Sequence, residues 1–320
     1  MAILLSAFFP WLHIPDGFLS LIMAVVFWLV TAAFVIVAAR RLQADTSGLG
    51  EQQVPLMGIM AAFVFAAQML NFPVAGGTSG HFLGGALTAI MLGPWAGILV
   101  MTAVIAIQAL LFQDGGLLAL GANLFNMGIL TAFIGYGLYR SFAGKDRRVR
   151  LMAAGVAAWL SVMAAAFLTS VQLWLSGTAV LGVVLPAMLG VHALIGIGEA
   201  LITVAALGFI AQIRPDLLGE AAVKERGGRG WVIGGAVLVA LLLVLAPLAS
   251  ADPDGLERVA EDLGFIERGL EAPYQIIPDY TLPFLGETAL STILAGAIGA
   301  VVVGVVAVVV VRVLRPRWQS

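Results

Sequence analysis

Three histidines and no cysteine stand in 320 residues, so a transition-metal site in this chain must use imidazole, backbone, methionine or carboxylate groups. His13 lies in Leu12-His13-Ile14-Pro15-Asp16-Gly17-Phe18, where Pro15 and Gly17 around Asp16 signal a turn ahead of a long apolar run. His81 closes Pro73-Val74-Ala75-Gly76-Gly77-Thr78-Ser79-Gly80-His81, a loop of small residues able to fold back over a site. His192 and Glu199 are seven apart, which on a helix puts them on one face about 10 Å from each other. Each histidine also has a plain reading: His13 as an interfacial residue beside Trp11, His81 as a hydrogen bonder at a helix start. Glu199 reads as a buried polar anchor between helices or as an ionisable group that works inside the membrane. Ser79, in the word Gly77-Thr78-Ser79-Gly80, together with His192 raises a second class, an intramembrane serine protease.

The elements that must position these groups are membrane helices. The chain is 61% hydrophobic and 11% charged, with mean hydropathy +1.06. Nine apolar segments, roughly 18–39, 54–70, 82–92, 94–112, 117–139, 151–176, 186–211, 231–249 and 288–311, predict an all-α integral membrane protein with about nine transmembrane helices. The third is short and glycine-rich, so it is expected to be tilted, broken or shielded. Fourteen of the 16 Lys and Arg residues follow the first, fifth, seventh and ninth segments. The positive-inside rule then puts the amino terminus outside and the carboxyl terminus in the cytoplasm. His13, the 71–81 loop and His192 fall toward the outer face. The net charge of −2 gives no reason to expect a nucleic-acid partner. No phosphate-binding Gly-x4-Gly-Lys-Ser/Thr word occurs, so no ATP is expected on this chain.

Pro, Gly and charges interrupt the pattern at 214–230, and two more helices follow, joined by an outward loop at 250–287. Nine of the 18 acidic residues sit in that loop. Asp252 is expected to cap a short helix with Pro253 at its first position, Leu256, Val259, Ala260 and Leu263 forming its apolar stripe and Gly264 its stop. The acidic loop is expected to sit over the outer mouth and help load metal without being a ligand. The small-residue face Ala295–Gly304 is where helix partners are expected to dock.

The stretch 12–18, the loop 73–81, Leu92-Gly93-Pro94-Trp95 and the run from His192 to Glu199 resemble the CbiM/NikM family. Its members are metal-capture membrane subunits of energy-coupling factor (ECF) cobalt and nickel transporters. Pro253-Asp254-Gly255-Leu256-Glu257 resembles the PDGLE module, the small two-helix CbiN/NikN-like partner of those transporters. The resemblance therefore implies a fusion: 12–213 as capture domain, 214–230 as cytoplasmic linker and 231–320 as the PDGLE module, in the bacterial inner membrane. It also implies a CbiQ/NikQ-like transmembrane coupling subunit and two CbiO/NikO-like ATPase subunits as partners, with Ni²⁺ or Co²⁺ as cargo and the fusion favouring nickel. The implied ligands are His13, His81 and the nitrogen of Leu12, in a square-planar set that suits Ni(II). His192, Ser79, Thr78, Asn71, Asn123, Asn126 and Glu199 are the implied supports. Asp114-Gly115-Gly116 resembles family positions that brace the site loop, and Asp16 reads as a turn residue. Family members begin Met-His-Ile, so residues 1–11 are expected to be an extension and Leu12 the functional start, read as Met.

Overall fold

The structure is a computed structural model that describes residues 13–44, 53–213 and 230–314. The extension 1–11, Leu12 and nearly all of the expected linker lie outside the described residues. Each of the nine apolar stretches carries helix: α1 (Leu21–Ala44), α2 (Gln53–Gln68), α3 (Gly85–Leu92), α4 (Pro94–Ile107), the run α5 (Leu120–Asn123) to α6 (Thr131–Ser141), α7 (Arg147–Leu175), α8 (Leu181–Ile213), α9 (Gly230–Leu245) and α11 (Ala289–Leu314). Between α9 and α11 lies the short α10 (Gly255–Asp262), and a hairpin, β1 (Phe72–Val74) and β2 (Thr78–Gly80), precedes α3. Among the described residues, six helices are long and apolar enough to cross a membrane. Exposed apolar side chains such as Ile22, Leu29, Val237 and Val301 cover their outward faces, as a bilayer requires.

The third segment is broken, as its glycines foretell. His81–Gly84 has no regular secondary structure, and only the eight residues of α3 are helical before Gly93, at φ 83°, reverses the chain and Pro94 opens α4. The reversal lays α4 against α3 so closely that a Cβ on Gly97 would come within 3.0 Å of the Ala89 backbone. A non-helical backbone inside an apolar bundle needs partners for its polar groups. Glu199 of α8 supplies them, accepting from the N–H of Leu83 at 2.7 Å and of Gly84 at 3.0 Å, and Gln68 Nε2 donates to the Leu83 carbonyl at 2.8 Å.

Two helices carry π-helical stretches, Gln108–Phe112 after α4 and Leu124–Leu130 between α5 and α6. Both lie beside residues of the candidate site, where such wide turns re-aim side chains.

The second module is integrated into the bundle. Gly58 of α2 and Gly304 of α11 cross backbone to backbone, Gly299 takes the rings of Phe65 and Phe112, and Gly296 meets Met69 and Leu243. The small-residue face expected to receive outside partners is thus occupied by the chain's own helices. The short-helix cap also differs from expectation. Asp254, and not Asp252, is the N-cap: its side chain accepts from Glu257 N at 2.7 Å while Glu257 reaches back to Asp254 N at 3.3 Å. The reciprocal box requires Glu three residues after the cap, which only Asp254 has, so Pro253 stays outside the helix.

Candidate metal centre

His13 is 2% exposed and is held by a residue 101 positions away. Its Nδ1 lies 3.0 Å from Asp114 Oδ1 and 3.1 Å from the Asp114 carbonyl. Two oxygen acceptors on one nitrogen require the proton there, so in the neutral ring Nε2 carries the lone pair. That Nε2 is buried and has no hydrogen-bond partner among the described residues. His81 stands edge-on to His13, ring centroids 5.5 Å apart. Its Nδ1 is 3.3 Å from the Phe82 carbonyl and its Nε2 is 4.0 Å from Asp254 Oδ2. Both imidazoles line a cavity of about 60 Å³, with Asn123, Asn126, Thr169, His192 and Asp254 as its other polar walls. That is room for several water-sized spheres, or for an ion with part of its shell.

The amino-terminal stretch is clamped where it delivers His13. Asn123 accepts from Ile14 N and donates to Ile14 O, both at 3.0 Å, and Gly116 N adds a second bond to that carbonyl. Asp16 accepts from the N–H groups of Leu117 and Ala119 ahead of α5, which makes it a structural turn residue. Gly115 and Gly116 are glycine because this stretch rests on them: a Cβ would come 2.8 Å from His13 Cβ in one case and 2.0 Å from Asp16 Oδ1 in the other. Asn126 pairs with Gln172, donating at 2.8 Å and accepting at 2.9 Å, and so fixes the wall between the helices.

The loop 71–81 is the β1–β2 hairpin, turned at Gly76 and Gly77, both at positive φ. It serves as a seat for the second module. Ser79 N donates to the Pro253 carbonyl and Ser79 Oγ to the Asp252 carbonyl, each at 2.8 Å. Gly255 then fits against α8, where a Cβ would press on Ile195 and His192 at 2.7 and 2.9 Å. Thr78 is buried opposite Val74 in the hairpin. Asn71 lies apart from the cavity walls, its carbonyl accepting from Ser250 N. The Ser79 hydroxyl is directed to a backbone carbonyl, and His192 Nδ1 lies 2.8 Å from the Met188 carbonyl. Among the described residues no hydrogen bond joins the Ser79 hydroxyl to the His192 ring, so the protease constellation is not assembled.

Three residues of this site were not recognised as such from the sequence. Asp114 was expected to brace the loop and instead holds His13. Asp254 is expected only as part of the acidic loop over the outer mouth, loading metal without being a ligand, and it lines the cavity itself. Tyr280, whose hydroxyl donates to Asp114 Oδ2 at 2.7 Å, carried no local signal at all. Burial alone would lower the His13 pKa, but the charge and hydrogen bonds of Asp114 raise it above 6.5. Burial would raise Asp114, yet its contacts with His13 and Tyr280 hold it below 3.8. Asp254 is pushed up to about 7, by burial above all.

Residues 13–217 match the family described as cobalt uptake substrate-specific transmembrane region (CbiM), and residues 228–316 match the PDGLE domain. This is a multi-pass membrane component of metal uptake, a transporter part and not an enzyme. The chain belongs to the CbiM family, with a PDGLE domain fused behind it. A putative fused nickel transport protein NikMN of Archaeoglobus fulgidus is 40% identical over 91% of this chain and 95% of its own length. The fused nickel transport protein NikMN of Rhodobacter capsulatus is 30% identical with the same coverage. A solved structure described as a truncated transition metal transporter is 36% identical, with TM-score 0.56, over 63% of this chain and 99% of that one.

Proposed function

We propose that this chain is the substrate-binding membrane subunit of an energy-coupling factor importer that captures nickel or cobalt at the outer face. One observation carries the reading: the buried Nε2 of His13 has no hydrogen-bond partner among the described residues, and His13 lines a cavity shared with His81. An orphaned imidazole nitrogen is costly to bury, and a divalent cation is a partner that would offset that cost. The donors are the His13 and His81 imidazoles with backbone nitrogen at Leu12–His13, while Asp114 holds His13 from behind and Asn123, Asn126 and His192 line the cavity. Residues 12–213 form the capture module in seven crossings and 231–320 the two-crossing module, in a bacterial cytoplasmic membrane with the amino terminus outside. A CbiQ/NikQ-like coupling subunit and two CbiO/NikO-like ATPases supply the energy. The full-length relatives named for nickel favour that ion.

The reading has a pH signature. A ligand imidazole must give up its second proton to bind metal, and Asp114 holds the His13 pKa above 6.5. Nickel affinity is therefore expected to be full above that raised value and to fall as pH drops through it. Equilibrium titration of the purified chain with Ni²⁺ between pH 5 and 8 checks this. A flat profile contradicts nitrogen capture.

A further inference from the structure

The cavity raises a question of charge. A divalent cation moved from water into a buried site needs compensating negative charge close by, because desolvation is severe in such surroundings. Asp114 stands behind the His13 ring, with Oδ1 on Nδ1 and Oδ2 on the Tyr280 hydroxyl, and it is not a wall of the cavity. Among the described residues that line the cavity, Asp254 is the one carboxylate. It is 4% exposed and its Oδ2 lies 4.0 Å from His81 Nε2. A metal about 2 Å from that nitrogen falls within reach of the carboxylate. Asp254 belongs to the second module, and its position is fixed from three sides: by the two Ser79 bonds just before it, by the close seat of Gly255 on α8, and by the box with Glu257.

We propose that Asp254 supplies the compensating negative charge of the metal site, so that the fused module completes the site whenever its 253–257 turn is seated on Ser79. The inference rests on the capture reading above and adds to it a residue that the capture module does not contain. It also gives the PDGLE word a physical content. Pro253 offers a carbonyl to the hairpin, Asp254 offers charge, Gly255 permits the approach, Leu256 walls the cavity and Glu257 locks the turn.

Asparagine and serine both serve as N-caps nearly as well as aspartate, so Asp254→Asn and Asp254→Ser remove the charge and keep the turn. Full-length wild type, both variants and His81→Ala are titrated with Ni²⁺ in a calorimeter at pH 7.5, and their metal-free melting is recorded. The expected result is a weakening of about tenfold or more in both Asp254 variants, the scale of losing a partner next to the ligands, with melting close to wild type. Wild-type affinity in the Asn and Ser variants overturns the proposal. Failure of both to fold also overturns it, since the carboxylate would then serve the fold. If His81→Ala binds as tightly as wild type, the capture reading itself fails. If His81→Ala loses binding while the Asp254 variants keep it, only the present inference fails.

Discussion

His81→Ala is expected to abolish tight nickel binding while leaving the bundle folded. Its Nδ1 lies 3.3 Å from the Phe82 carbonyl, its Nε2 lies 4.0 Å from Asp254 Oδ2, and the residue lines the cavity. Losing the partner of a ligand costs about ten- to a hundredfold in affinity, and losing a ligand itself is expected to exceed that. His13→Ala is expected to do the same, and it takes the imidazole contact away from buried Asp114, so some stability is lost as well. Calorimetric titration with melting curves separates the two effects. Binding within tenfold of wild type in His81→Ala contradicts the assigned donor.

The second large effect belongs to Glu199, and it is a loss of stability. Its two oxygens hold the N–H groups of Leu83 and Gly84, where the chain crosses the bundle without helix. Glu199→Ala strands both donors, at about 1–3 kcal/mol each. The variant is therefore expected to melt lower by about 10 °C, within the range such a loss produces in a chain of this size. Glu199→Gln keeps one acceptor and is expected to fall between, with transport reduced only as far as its folding is. A proton-coupled role predicts the reverse, a Gln variant that folds normally and transports nothing. Wild-type melting of Glu199→Ala contradicts the structural role.

Much of this was legible in the sequence for a physical reason. Runs of apolar residues report the bilayer directly, so helix appears at every apolar stretch, and the weak third stretch is the one that breaks. Boundaries shifted because neighbours decide where helices end: Pro186 sits inside α8, which begins five residues earlier, and the fourth-to-fifth connection is fastened by Asp16. The histidines were legible because imidazoles are rare here and lie in glycine-rich or turn-forming surroundings. Their partners were not, because Asp114 is 101 residues from His13 and Asp254 is 173 from His81, distances over which local pattern carries no information. The Ala295–Gly304 face misled for a related reason. Small residues announce a close helix contact without naming the partner, and here the partner is α2 of the same chain. The capping error was avoidable, since Asp254-Gly-Leu-Glu257 reads as a capping box and Asp252 lacks its glutamate.

The central claim is that the cargo metal sits between the imidazoles of His13 and His81. X-ray absorption at the nickel edge of the metal-loaded, full-length protein reads that coordination directly. The expected spectrum has a first shell of nitrogen and oxygen only, with the outer-shell scattering of two imidazoles. Sulfur in the first shell, which would mean Met127 or Met188 from the cavity wall, or no imidazole scattering at all, would contradict it.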